Sequence, residues 1–225
     1  MNKEIFSPGE RTRDRLGKVT DLLDLHIEGS EVLESIGSSG AIMAIAPHSG
    51  HLDSLVIRKA VPGNIRDRLV FLAGADYWQG PRKWISHLFA ETYPLARNGS
   101  VSEIKESLSG VVDLLESGKI IAVYPEGTRG NGEIPVDQRH FMRGLEWIIK
   151  QTDYRYPVFP VRLSGLENVM PKGTAFPKFF KEHKRRNASV NIGQGIDFRD
   201  SEFRSLPVQT KGYVTTYIKD AIADL

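Results

Sequence analysis

The sequence predicts an α/β fold: a single domain with a mixed, mostly parallel sheet flanked by helices. Two observations carry that reading. Short apolar runs of buried-strand type, at 41–46, 69–72 and 120–124, alternate with segments of helical period. No repeat or linker-like tract interrupts the 225 residues, a length that buries a substantial core in one unit.

Each element follows from local signals. Ser7-Pro8-Gly9-Glu10 has capping-box spacing with proline at the first helical position, which predicts a helix toward Leu22. Leu25 and Ile27 alternate with polar neighbours and predict a short strand before Gly29. A small helix follows, then the strand at 41–46. Residues 53–60 read as helix, 69–72 as a second buried strand, 81–89 as helix and 92–96 as extended chain. The clearest helix lies over 102–117. Ile104, Leu108, Val111, Val112 and Leu115 share one face, read as core, and Gly118 stands where a C-cap belongs. Strand 120–124, helix 141–150 and strand 158–163 come next, and 190–192 alternates like a later strand. The last helix aligns Val214, Ile218, Ala221, Ile222 and Leu225. The expected organisation is an N-terminal helix in 1–24, a motif-bearing core over 25–200 and a C-terminal helix in 205–225.

Composition removes several function classes. The 30 basic and 28 acidic residues leave a net charge of +2, which gives no electrostatic case for nucleic acid. The absence of cysteine excludes disulfides, thiolate zinc sites, iron–sulfur clusters and a cysteine nucleophile. Residues 1–15 are charged every few positions and contain no signal-like apolar stretch. Residues 35–52 lack Asp, Glu, Lys and Arg, but their serines, glycines and histidines make them a poor bilayer span. No transmembrane helix is expected.

Three polar clusters each follow a predicted strand: His48-Ser49-Gly50-His51-Leu52-Asp53, Arg97-Asn98-Gly99 and Glu126-Gly127-Thr128-Arg129. Ligands of open α/β sheets bind at the carboxyl ends of strands, so parallel neighbours would bring the clusters to one edge. A turn between His48 and Asp53 would set the carboxylate on one ring nitrogen and leave the other to accept a proton. Spacing alone also fits a helix cap, and His51 adds the alternative of a His48, His51, Asp53 metal site. Arg129 suits a phosphate, and Glu126 suits either holding its loop or contacting a polyol. The bland alternative there is a turn with an internal salt bridge.

Taken together these residues resemble the glycerolipid (lysophospholipid) acyltransferase family, which includes the 1-acylglycerol-3-phosphate acyltransferases. His48-x4-Asp53 matches its His-x4-Asp motif, and Tyr124-Pro125-Glu126-Gly127-Thr128-Arg129 is similar to its Pro-Glu-Gly-Thr-Arg block. Phe141-Met142-Arg143-Gly144 and the stretch 158–173 resemble two further blocks in the same order. Pro47 stands where the family often has Asn or Ser, and Ala96 replaces the usual acidic neighbour of Arg97.

The resemblance implies a glycerol-3-phosphate acyltransferase-like fold and transfer of a fatty acyl chain from acyl-CoA or acyl carrier protein to a lysophosphatidate-like hydroxyl. His48 and Asp53 would be catalytic. Arg97, Glu126, Gly127, Thr128 and Arg129 would bind substrate. No cofactor or metal and no nucleic acid is implied, and the protein would work in the cytoplasm, peripheral to a membrane. Another hydroxyl acceptor, an esterase or thioesterase, and a non-enzymatic lipid-binding relative stand as alternatives. Lys178, Lys181, Lys184, Arg185 and Arg186 form a basic run, read as solvated surface or as a patch for anionic lipid. Tyr77, Trp78, Trp84 and Phe89 read as membrane-facing, as part of an acyl tunnel or as core.

Overall fold

The computed structural model describes residues 5, 18–75, 90–96, 99–130, 132–134, 143–170, 186–199, 203 and 212–225. Seven strands form one sheet: β1 (Leu23–Glu28), β2 (Ala41–Ala46), β3 (Leu69–Gly74), β4 (Thr92–Leu95), β5 (Ile120–Val123), β6 (Val158–Ser164) and β7 (Arg186–Ile192). Their spatial order is β1-β7-β6-β2-β5-β3-β4. Every neighbouring pair is parallel except β6 and β7, which run antiparallel with Leu163 opposite Val190.

Continuous apolar runs are what a sheet covered on both faces requires. Strand β2 lies between β6 and β5, and all its residues are buried. Its side chains alternate between two cores. Met43 and Ile45 pack with Leu52, Val56 and Ile57 of helix α1 (Leu52–Ala60). Ile42 and Ala44 pack on the other face with α3 (Val101–Glu116), α4 (Arg143–Gln151) and α6 (Tyr213–Ala223), through Val111, Ile148 and Ile218. Among the described residues two further α-helices, α2 (Gly63–Arg66) and α5 (Leu166–Val169), are single turns. At the edge, β1 alternates instead: Leu25 and Ile27 are partly buried, while Asp24, His26 and Glu28 are exposed.

The mixed, mostly parallel sheet of the sequence reading is present, with several corrections. Helix α3 starts before residue 102, because Ser100 caps it. The Ser100 hydroxyl accepts the Glu103 N–H at 3.3 Å, and the Glu103 carboxylate accepts the Ser100 N–H at 2.7 Å. The helix ends in a Schellman turn, with Lys119 N–H on Leu114 O and Gly118 N–H on Leu115 O, both at 3.0 Å. Gly118 supplies the positive φ of 82° that this turn needs. The three-residue strand at 190–192 extends back to Arg186, and the short helices α2 and α5 were not foreseen. Lys18–Leu22 is a 3-10 turn leading into β1. The predicted helix 81–89, most of the predicted N-terminal helix, and the aromatic and basic segments lie outside the described residues, except Arg186.

Candidate active site

Strand β2 ends at Ala46, the Ala46–Pro47 peptide is cis, and a short turn carries the chain into α1. Asp53 sits in the first turn of that helix and is fully buried. Its carboxylate accepts the Ser49 N–H at 2.7 Å and the Gly50 N–H at 3.0 Å, so the turn wraps around it. The two amides belong to the turn that precedes the helix, and a carboxylate from the first helical turn reaches back to satisfy them. His48 Nδ1 lies 2.7 Å from Asp53 Oδ2. A carboxylate only accepts, so in the neutral imidazole Nδ1 bears the proton and Nε2 keeps its lone pair.

A second turn, after β5, grips the same histidine. Gly127 closes it with an N–H bond to Tyr124 O at 2.9 Å, at a φ of 66° that favours glycine. Glu126 Oε1 accepts the His48 N–H at 2.8 Å, and Gly130 N–H donates to His48 O at 2.8 Å. The Tyr124 ring stacks on the imidazole, with centroids 4.0 Å apart and planes 18° apart. Burial pushes the Glu126 carboxyl up to about 7; the bond from His48 N–H opposes that rise and nearby Asp53 adds to it. Burial also raises the Tyr124 phenol well above its ordinary value, reinforced by the Asp53 and Glu126 carboxylates.

Beside the histidine lies a cavity of about 270 Å³. His48, Gly50, His51, Tyr124, Gly127, Thr128 and Arg129 line its polar part. Phe71, Leu72, Leu95, Ile104, Leu108 and Val123 line its apolar part. Arg129 is half-buried there and makes no hydrogen bond or ion pair with any described residue.

The family model for Acyltransferase matches residues 24–164, more than half of the chain and including both turns. The chain belongs to the Acyltransferase family. Its fold is also similar to that of the 1-acyl-sn-glycerophosphate (LPA) acyltransferase PlsC from Thermotoga maritima. That match has a TM-score of 0.60 and 20% identity, over 95% of this chain and 77% of that one. No curated protein matches the chain.

In this acyltransferase the structure brings His48, Asp53 and Glu126 together and sets Gly127, Thr128 and Arg129 along one cavity. Arg97 lies outside the described residues; its neighbour Ala96 lines the cavity. The metal alternative is not supported: among the described residues no group of three His, Asp or Glu is arranged to hold an ion, the His48, His51, Asp53 trio included. Two features escaped the sequence reading. The Ile104–Leu115 stripe is core at Leu108, Val111 and Leu115, with Ile104 packed against them, but Ile104 and Leu108 also line the cavity. Tyr124 was read as the end of strand 120–124 and as part of a motif, without a role; an aromatic residue at the end of a strand and before the acidic turn was its signal.

Proposed function

We propose that the protein transfers a fatty acyl chain from acyl-CoA or acyl carrier protein to a hydroxyl of a lysophosphatidate-like glycerolipid. The observation that carries this reading is the His48–Asp53 pair opening onto a largely apolar cavity that Arg129 also lines. Nε2 of His48 takes the proton of the acceptor hydroxyl as its oxygen attacks the thioester carbonyl. The tetrahedral intermediate collapses, the C–S bond breaks, and the leaving thiolate receives the proton from His48. Asp53 holds the ring and stabilises its protonated form.

Arg129 forks onto the acceptor phosphate, with Arg97 as a second contact, and Gly127 and Thr128 shape that end of the pocket. Glu126, with one oxygen on the His48 N–H, ties the acceptor loop to the base. Ser49 is not used as a nucleophile: its hydroxyl is buried and has no partner among the described residues to activate it. Intact-mass measurement after incubation with donor alone should therefore show no acyl adduct. Among the described residues no helix is long and apolar enough to cross a membrane. Attachment is peripheral in this proposal, with the basic run at 178–186 on anionic lipid, and vesicle binding should weaken as salt rises.

The test is transfer from each thioester donor to matched acceptors with and without the phosphate, with products identified by mass spectrometry. Faster transfer to the phosphorylated acceptor is expected. Equal transfer to both would overturn the phosphate reading, and hydrolysis without transfer would replace the acyltransferase by a thioesterase.

A further inference from the structure

We propose that Tyr124 is a positioning residue, whose ring face sets the plane in which the His48 imidazole presents Nε2. This inference rests on the reading of His48 as the base. The backbone of His48 is held by Glu126 on its N–H and Gly130 on its carbonyl, and one ring edge by Asp53. Those bonds fix where the ring is attached and where Nδ1 points. A single hydrogen bond at one edge still lets a ring rock about that edge, and rocking swings the opposite nitrogen most. The near-parallel contact with Tyr124, at 4.0 Å and 18°, blocks that motion on one face.

Tyr124 is itself well placed to resist. It follows β5 directly, its carbonyl accepts the Gly127 N–H, and the Phe71 ring lies 6.3 Å away at 22°. Its ring face also bears the negative side of the aromatic quadrupole, which favours the positive imidazolium formed during transfer. The hydroxyl takes no part in this arrangement. It is buried with no hydrogen-bond partner among the described residues. The function of the side chain is therefore in its face, and a phenylalanine should perform it.

Three variants, Tyr124→Phe, Tyr124→Leu and Tyr124→Met, test this, with folding checked by circular dichroism. Two readouts are used: steady-state transfer, and the low-field Nδ1–H resonance of His48 in protein labelled with ¹⁵N-histidine. Tyr124→Phe should keep kcat within about threefold and retain a sharp Nδ1–H line. Tyr124→Leu should lose roughly 10–100-fold in kcat, the scale of a small misplacement of a catalytic group. Its donor and acceptor KM should change little, and its Nδ1–H line should broaden or exchange away. Tyr124→Met repeats the Leu test if that variant fails to fold.

Equal loss in Tyr124→Phe would mean that the hydroxyl acts, and would overturn the proposal. Full activity and a sharp line in the non-aromatic variants would also overturn it, as would a loss confined to KM, which would make Tyr124 a cavity wall. The resonance is measured without substrate. If no donor–acceptor pair gives transfer, the acyl-transfer reading fails while the resonance still decides whether Tyr124 orders His48.

Discussion

The turns after β2 and β5 lie at the same end of adjacent parallel strands, and each buries a carboxylate, yet they are provisioned differently. The first supplies its own donors: Asp53 is bonded by Ser49, Gly50 and His48, all within five residues. The second borrows: Glu126 is bonded by the N–H of His48, 78 positions away in sequence. The first turn is thus close to a self-contained unit, positioned by the start of α1. The second depends on docking against the first, and its carboxyl is pushed up to about 7 by burial. One turn holds the His48 ring; the other holds the first turn and leaves Arg129 without a described partner.

Breaking the self-contained turn should have the largest effect. His48→Ala should leave a folded protein that has lost on the order of 10²–10⁴-fold in transfer rate, the usual worth of a positioned base. Asp53→Asn should be similarly severe in rate and also cost stability. Its amide would replace one carboxylate oxygen with a donor and leave neutral bonds in place of charge-assisted ones to Ser49 and Gly50, on the scale of roughly 1.5–3 kcal/mol for a hydrogen bond to a charged group. Steady-state rates and urea midpoints measure the two parts separately. A folded His48→Ala protein with near-normal turnover would remove the base from the mechanism.

The same contrast explains what the sequence made legible. His48 and Asp53 were readable because their bond is local, and a glycine-bearing turn before a helix can close it. The parallel strands were readable because a sheet covered on both faces needs unbroken apolar runs, as in Ala41–Ala46. Contacts between distant segments were not. No local signal states that Glu126 reaches the backbone of His48, that Tyr124 lies on its ring, or that β7 turns antiparallel to β6. Leu108 belongs to the core and Ile104 packs against it, yet both also border the cavity, and a periodic pattern does not show where a packed face doubles as a cavity wall. Ser100 was missed as a cap because the apolar stripe begins only at Ile104.

The under-supplied turn should reveal itself through pH. Glu126 titrates near 7 in the folded protein and at about 4.5 when exposed. Between those values the folded state binds more protons than the unfolded chain, so this group lowers stability as pH rises through that window. The full difference is on the order of 3 kcal/mol. Glu126→Gln keeps an oxygen to accept the His48 N–H and removes the titration. Its stability relative to the unmodified protein should therefore improve between pH 5 and pH 8, as followed by denaturant midpoints. A difference that stays constant across that range would mean that the Glu126 carboxyl titrates alike in the folded and unfolded chain.

The smallest expected effect concerns Arg129, the cation that follows the second turn. Asp53 and Glu126 find their partners within the protein, whereas Arg129, half-buried on the cavity, has none among the described residues. A cation held in that way is suited to a ligand, and a guanidinium matches two phosphate oxygens at once. Lysine keeps the charge and loses the fork, so Arg129→Lys isolates the geometry from the electrostatics. Losing one charge-assisted bond of about 1.4 kcal/mol should raise the KM for a phosphorylated acceptor ~10-fold. Donor hydrolysis in the absence of acceptor should hardly change, because water needs no phosphate site. The His48 Nδ1–H resonance should also be unaffected, since the neighbouring bond from Gly130 N–H to His48 O is a backbone bond that does not use the Arg129 side chain. An equal fall with phosphorylated and unphosphorylated acceptors would instead make Arg129 a support for the turn, and the contrast between a closed first turn and an open second one would fail.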